Sequence, residues 1–327
     1  MTFLTSRRPV GSDNGLRRLK IRPFIYTFSI PDSAPPVFAM FLIWLRVAAV
    51  LYGVASLLAI PAVLGNRPKG HRFCLPVALG AWFFHLVATV EMMAAAHHVI
   101  PVMADEIVST LALAIVAVFL FVFFVYRTIS FGLFALPLAF LLTVVPAIGP
   151  ERHTFGSPVV RNGWIAFHVV MLLAAYAALL FSMLSSFLYL IQEKRLKSKQ
   201  WTKAGVGARP AARPRGFLTW LPPLATMDSI GQSTLMLGFL CMTAGLFAGS
   251  LIAQEDVGIH YFADPKILLS FLMWGLYVAI LFIRRNAGLR GRRAAWLSSG
   301  VFVLMLCVWA ANSLGSVHSS ANRFGLK

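Results

Sequence analysis

Two histidines in a strongly apolar chain are the first residues that could do chemistry. His168 lies a little over one helical turn inside a long apolar run, and His318 lies just beyond the last apolar run. Two neutral imidazoles that face each other across a gap can ligate an iron centre from both sides. The same positions also suit an interfacial histidine and a solvated tail residue, so spacing alone leaves both interpretations open.

A short loop between two apolar runs is the second candidate feature. The segment Gln254–Lys266 is acidic and aromatic, although the chain carries a formal charge of +18. Tyr261 and Phe262, together with Trp164, would cover a flat apolar macrocycle. These features predict part of a haem platform on the outer face of a membrane. The acidic residues and the glycine of this loop are Glu255, Asp256, Gly258 and Asp264.

A few other ionisable groups lie in or beside the apolar runs. His85 lies near the middle of the second run, where it is either a ligand of an inner site or a packed, hydrogen-bonded residue. A second outward group, at the end of the second run that is expected to face outward, could hold a divalent metal. Adjacent histidines seldom both bind one ion, however. That group comprises Glu91, His97, His98, Asp105 and Glu106. The sequence contains no P-loop, HExxH or GxSxG signature of a soluble enzyme.

The composition determines the class of protein. Hydrophobic residues make up 59% of 327 positions, and only 12% are charged. Apolar runs of about 18 residues or more recur, and each can cross about 30 Å of hydrocarbon. The sequence therefore predicts an all-α, polytopic integral membrane protein with about eight transmembrane helices in a lipid bilayer. The basic residues cluster in short connectors, which indicates contact with lipid rather than with nucleic acid.

The apolar runs divide the chain into four parts. Residues 1–37 form a basic tail, 38–148 hold the first four spans, 163–314 hold the last four, and 315–327 form a short outer tail. The predicted spans cover approximately residues 38–64, 74–96, 107–125, 131–147, 163–191, 234–252, 265–283 and 294–314.

The basic connectors predict the orientation. They follow the first, third, fifth and seventh spans, so these connectors are expected in the cytoplasm of a bacterium and both termini outside its inner membrane. His168, His318 and the acidic loop then share the outer side. The basic tail of residues 1–37 would be expected in the cytoplasm, which conflicts with an outer N-terminus. Either the biological start is Met40, or the tail is translocated against the charge bias, and the first alternative is favoured.

Two helix starts and two packing faces are also predicted. Asp228 is expected to cap the sixth helix, and Asp264 to cap the seventh with Pro265 at its first position. Small residues recur every fourth position and predict close packing of the fifth and sixth helices. They are Ala174, Ala178, Ser182 and Ser186 on the fifth helix, with Gly245 and Gly249 on the sixth.

Residues 160–320 resemble the cytochrome c assembly family, in order and with suitable gaps. The run His168–Ala177, which contains Tyr176, is similar to the histidine–tyrosine helix of that family. Further matches follow at Asp264-Pro265-Lys266, Ser270, Trp274, Tyr277, 288–295, Asn312 and His318-Ser319. Before residue 160 the resemblance rests mainly on hydropathy.

The resemblance implies a haem-handling membrane protein. In this family an outer loop presents haem between two axial histidines, and these roles fall on His168, His318 and the loop Gly258–Asp264. Tyr176 and Trp274 belong to the matched motifs and join the expected haem site. The haem would be b-type, held non-covalently and transiently. It would pass, with a CcsB/ResB-like partner, to an apocytochrome c. The chain alone is then not expected to be an enzyme.

Two departures from the family pattern leave an alternative open. Where members with established assembly activity have loop tryptophans, this chain has Val257, Tyr261 and Ala263, and where they have a histidine in the seventh helix it has Phe282. These departures point toward the HemX/YpjD-like branch, and so toward a membrane accessory or regulator that does not transfer haem. A transporter that uses the Glu91 group is a third hypothesis, but no inverted repeats are visible.

Overall fold

The computed structural model describes residues 36–64, 68–95, 101, 104–148, 163–197, 221–257, 265–286, 291–304 and 306. All of them belong to one compact unit that spans Pro35–Lys327. Within these residues the regular structure is helical throughout, which confirms the predicted all-α class.

The described residues form helices in the predicted order. Six helices (α1, α2, α3, α5, α6 and α7) are long and apolar enough to cross a membrane, α4 is shorter, and α8 is described over 13 positions. The chain is therefore a polytopic membrane protein. The helices are α1 Pro36–Leu64, α2 Pro68–Ala95, α3 Ala104–Tyr126, α4 Gly132–Ile148, α5 Gly163–Lys197, α6 Leu224–Val257, α7 Pro265–Asn286 and α8 292–304.

Helix α6 is longer than predicted at both ends. It begins at Leu224, where the amide of Met227 already donates to the carbonyl of Pro223 at 3.0 Å. Asp228 therefore lies inside the helix, and its predicted role as N-cap is wrong. The helix continues to Val257, so the loop does not begin at Gln254. In contrast, α7 starts at Pro265 as predicted, because proline lacks the amide proton that a first helical residue leaves unpaired.

A shared core joins the first four helices to α5 and α6. Its fully buried side chains include Tyr52 of α1 and Phe119 of α3. Phe131, just before α4, stacks on Phe181 of α5 with ring centroids 5.9 Å apart. Met227 of α6 lies in the same cluster. This core fixes the position of α5, the helix that carries His168.

Small residues bring α5 and α6 together, as predicted. Ser182 donates to the carbonyl of Gly231 at 2.9 Å. Ser185, which is outside the predicted stripe, donates to the carbonyl of Met227 at 2.5 Å. Ala174 of the stripe is only half-buried. Hydroxyl-to-carbonyl bonds of this kind stabilise helix pairs in apolar surroundings, so they hold α5 against α6, the helix that His168 contacts.

An ion pair between a buried arginine and a half-buried aspartate links α6 to α7, and the arginine also bonds to α8. Arg284 of α7 donates to Asp228 of α6 at 3.0 Å and to the hydroxyl of Ser298 of α8 at 3.1 Å. The Arg284 side chain is 4% exposed and that of Asp228 is 18% exposed. The position predicted to cap a helix therefore holds a half-buried counter-ion of Arg284.

Candidate functional site at His168

The site is built around the N-terminal part of α5. His168 follows the first turn of that helix and is half-buried. Its Nδ1 atom lies 2.6 Å from the carbonyl oxygen of Gly245 on α6. A carbonyl can only accept a hydrogen bond, so Nδ1 carries a proton, and in the neutral ring Nε2 then keeps its lone pair. The imidazole is thus held in the tautomer that can bind a metal ion through Nε2.

At Gly249, helix α6 has no side chain where the imidazole ring of His168 packs against it. A Cβ atom placed on Gly249 would lie 2.5 Å from both Nδ1 and Cε1 of His168. Real Cβ atoms do not approach other atoms so closely, so any larger residue at position 249 would displace the ring. Gly249 therefore provides the space that His168 needs to reach the carbonyl of Gly245.

Exposed aromatic side chains lie next to His168 on α5. Trp164 is 57% exposed and Phe167 is 42% exposed. Their ring centroids are 6.3 Å apart in an edge-to-face arrangement. Trp164 and His168 are four positions apart, so they share one face of the helix. An accessible apolar surface beside an imidazole with a free nitrogen suits a flat apolar ligand that carries a metal ion.

Tyr176 and Trp274 lie deeper, in the packing between α5, α6 and α7. Both belong to one apolar cluster. Trp274 donates its indole N–H to Thr243 at 3.0 Å and stacks on Phe239. Thr243 precedes Gly245 by two positions, so Trp274 holds α7 against the part of α6 that contacts His168. Direct contact of Tyr176 and Trp274 with a cofactor stays a prediction.

The remaining predicted ligands fall outside the described residues. This applies to His318 and to the loop residues Gly258, Tyr261, Phe262 and Asp264. Their predicted roles therefore stay predictions, and the structure describes one of the two proposed axial histidines.

His85 is fully buried between three helices. Its Nε2 lies 2.9 Å from the hydroxyl of Ser109 on α3, and its Nδ1 lies 3.4 Å from the hydroxyl of Tyr52 on α1. Both ring nitrogens are thus engaged, which favours the packed, hydrogen-bonded residue over the inner ligand.

The second outward group is not assembled in the described part of the chain. Glu91 accepts a hydrogen bond from the indole of Trp44 at 3.2 Å. Its predicted neighbours His97 and His98 lie outside the described residues. Among the residues that are described, no three metal-ligating side chains come together, so a metal site here gains no support.

The two partners of His168 on α6 are not predictable from the sequence. The glycine spacing predicts only helix packing at Gly245 and Gly249, and the carbonyl that fixes the imidazole is a main-chain atom. A glycine pair four positions apart was the available signal, but it does not show which side chain would fill the space.

Fold and site together define a polytopic membrane protein with an accessible histidine near one end of its helix bundle. A family model described as "Cytochrome C assembly protein" matches residues 73–318. The chain belongs to that family. The match begins in α2, so it extends well before residue 160, where the sequence motifs begin.

Individual relatives are similar over much of the same region. The cytochrome c biogenesis protein CcsA of Prochlorococcus marinus subsp. pastoris is 30% identical over 214 residues, which cover 62% of this chain and 68% of that protein. The protein of the same name from a Synechococcus species is 32% identical over 172 residues, or 50% of this chain and 55% of the relative. The chain thus spans between about half and two thirds of these relatives.

Proposed function

We propose that this protein takes part in cytochrome c biogenesis by presenting haem at the outer face of the membrane. His168 and His318 would be the two axial ligands of the iron. The observation that carries this proposal is the bond between Nδ1 of His168 and the carbonyl of Gly245, because it leaves Nε2 free to bind. Family membership and the CcsA relatives supply the cytochrome c context.

The described residues fit a bound haem on one side. His168 supplies a neutral nitrogen, and Trp164 and Phe167 supply exposed apolar area next to it. Haem, when bound, would supply the iron porphyrin that becomes attached to an apocytochrome c. The chain itself would bind, orient and shield that group, with the loop Gly258–Asp264 covering its other parts. Non-covalent, transient b-type binding follows from this role.

The partners and the location form part of the same proposal. A CcsB/ResB-like protein would complete the attachment complex, and the chain would act as one part of that complex rather than as an enzyme alone. We place it in the bacterial inner membrane with its basic connectors in the cytoplasm. Labelling of single cysteines in the loops 97–106, 149–160 and 205–212 tests this orientation. Reaction of the first two loops from the same side as the third would contradict a shared outer site.

The absorption spectrum of the purified protein tests haem binding directly. We expect a six-coordinate haem spectrum that is lost in His168→Ala and in His318→Ala. The matched control is His85→Gln, which replaces a buried histidine whose nitrogens are already engaged and should keep the spectrum. An unchanged spectrum in His168→Ala would contradict the assignment of this ligand.

A second candidate function is a membrane accessory or regulator that does not transfer haem. The observation in its favour is Phe282, which occupies the position of a family histidine in α7 and is 65% exposed, so α7 offers no ligand there. Deletion of the gene separates the two functions. Loss of covalently bound haem from c-type cytochromes supports haem presentation, and unchanged cytochromes support the accessory role.

A further inference from the structure

We propose that the backbone of α6 at Gly245 and Gly249 is a preformed seat that fixes the tautomer and orientation of His168 and thereby sets the affinity for haem. This inference rests on the proposed function, since it assigns two positioning residues to that site. Neither residue would touch the haem iron, and both would act through His168.

The seat has two parts with different roles. The carbonyl of Gly245 accepts the Nδ1 proton at 2.6 Å, and this bond decides which nitrogen keeps a lone pair. The missing side chain of Gly249 leaves room for the ring, because a Cβ there would lie 2.5 Å from Nδ1 and Cε1. Gly245 therefore fixes which ring nitrogen of His168 carries the proton, and Gly249 fixes how closely the ring approaches α6.

A hydrogen bond of this kind changes the ligand as well as its orientation. Donation from Nδ1 to a carbonyl makes Nε2 a stronger base toward a metal ion. A more basic axial ligand favours ferric over ferrous iron and so lowers the reduction potential of a haem. Loss of such a partner typically reduces metal affinity by about 10- to 100-fold.

The seat also connects ligand geometry to helix packing. His168 lies on α5, and both glycines lie on α6. Serine bonds from Ser182 and Ser185 to α6 carbonyls hold the two helices in one register further along. Since a hydrogen bond tolerates little displacement, the register of α5 on α6 decides whether the imidazole is held.

Gly249→Ala is the test variant, and Gly275→Ala is its matched control. Both changes add one methyl group to a glycine in a membrane-spanning helix. At Gly249 the methyl meets the imidazole, whereas at Gly275 nothing lies within 4 Å of it. Thermal unfolding of both variants is compared first, so that any loss of folding is measured separately.

The first measurement uses haem-free protein labelled with ¹⁵N-histidine. The His168 signals are identified as those missing from His168→Gln. We expect Nδ1 to be protonated in the wild type and in Gly275→Ala, and a mixture of tautomers in Gly249→Ala. A neutral ring protonated at Nε2 instead of Nδ1 in the wild type, or no change in Gly249→Ala, would overturn the proposed seat whether or not the protein binds haem.

The second measurement is haem titration followed by absorbance. We expect affinity to fall by about 10- to 100-fold in Gly249→Ala, with the reduction potential raised, and to stay within about twofold in Gly275→Ala. An equal fall in both variants would show general loss of packing and would overturn the seat. If the expected tautomers are observed but the wild type binds no haem, the proposed function fails and the effect on affinity fails with it, while the geometry of the seat stands.

Discussion

The ion pair between Asp228 and Arg284 allows a prediction with a defined magnitude. We consider Asp228→Asn, which removes the charge and keeps the shape. The guanidinium of Arg284 would then lose its ionised partner although its side chain is only 4% exposed. Within the described residues the Nε atom of Arg284 already lacks a hydrogen-bond partner, so the guanidinium has few other contacts to compensate for the lost carboxylate.

The expected cost follows from that burial. Breaking a buried ion pair by removal of one partner destabilises a protein by about 3–5 kcal/mol. The side chain of Asp228 keeps 18% exposure, so solvent partly screens the pair, and we expect about 3 kcal/mol. Ser298→Ala removes one hydrogen bond to the same charged group and should cost about 1.5 kcal/mol.

A double-mutant cycle with Arg284→Met measures the interaction itself. The double variant removes both charges, and replacement of a buried pair by apolar groups is often nearly neutral. We therefore expect the double variant to be more stable than Asp228→Asn alone, with a coupling energy of about 2–3 kcal/mol. The assay is unfolding in detergent, followed by tryptophan fluorescence.

Strict additivity of the two single changes would refute the reasoning. A cost for Asp228→Asn below about 0.5 kcal/mol would do the same, since changes of that size are typical of exposed surface positions. Either result would mean that the guanidinium reaches water and that the ion pair does not hold α6 to α7.

Three further predictions concern stability at other positions. His85→Phe removes two hydrogen bonds and should destabilise the fold by about 1–3 kcal/mol, and an unchanged midpoint of unfolding would contradict this. Gly291→Ala should lower the stability by about 1–2 kcal/mol, because φ is +72° and the new Cβ would lie 2.6 Å from the hydroxyl of Tyr189. Adding Tyr189→Phe removes that hydroxyl, so it should restore the part of the stability lost to the clash but not the part lost to the backbone strain. Ser182→Ala removes the bond to the carbonyl of Gly231 and should cost about 0.5–1.5 kcal/mol, with Ser250→Ala, whose bond lies within α6, as the control.

Hydropathy was sufficient to predict the helix class and order, because each helix must satisfy its own backbone in an apolar environment. The first residue of α7 could also be predicted, since Asp264-Pro265 is a local signal. The start of α6 could not. Asp228 resembles a cap within its own segment, and its true partner Arg284 lies 56 positions further along the chain.

The candidate site was predictable only in part for a similar reason. The place of His168 near the end of a span and its neighbours in a family motif identify it as a candidate ligand. Its proton, however, is set by the main-chain carbonyl of Gly245, 77 positions away. A single sequence does not reveal which main-chain atom meets which side chain. His85 could not be assigned for the same reason. A histidine in the middle of a span can be a metal ligand or a packed residue, and only the structure shows the two hydroxyl groups that bond to it.

The length of α5 also has a consequence for where His168 sits in the bilayer. The helix runs for 35 residues, and Glu193 lies 25 positions after His168, which is about 38 Å along the axis at 1.5 Å per residue. With a typical tilt of about 20°, this still spans about 35 Å across a hydrocarbon layer of about 30 Å. If Glu193 stays at one boundary of that layer, His168 lies beyond the other, at the level of the headgroups. In a bilayer whose hydrocarbon layer exceeds about 35 Å, the imidazole would lie inside that layer, and we expect access of a large planar ligand to this histidine to depend on the acyl-chain length of the lipid.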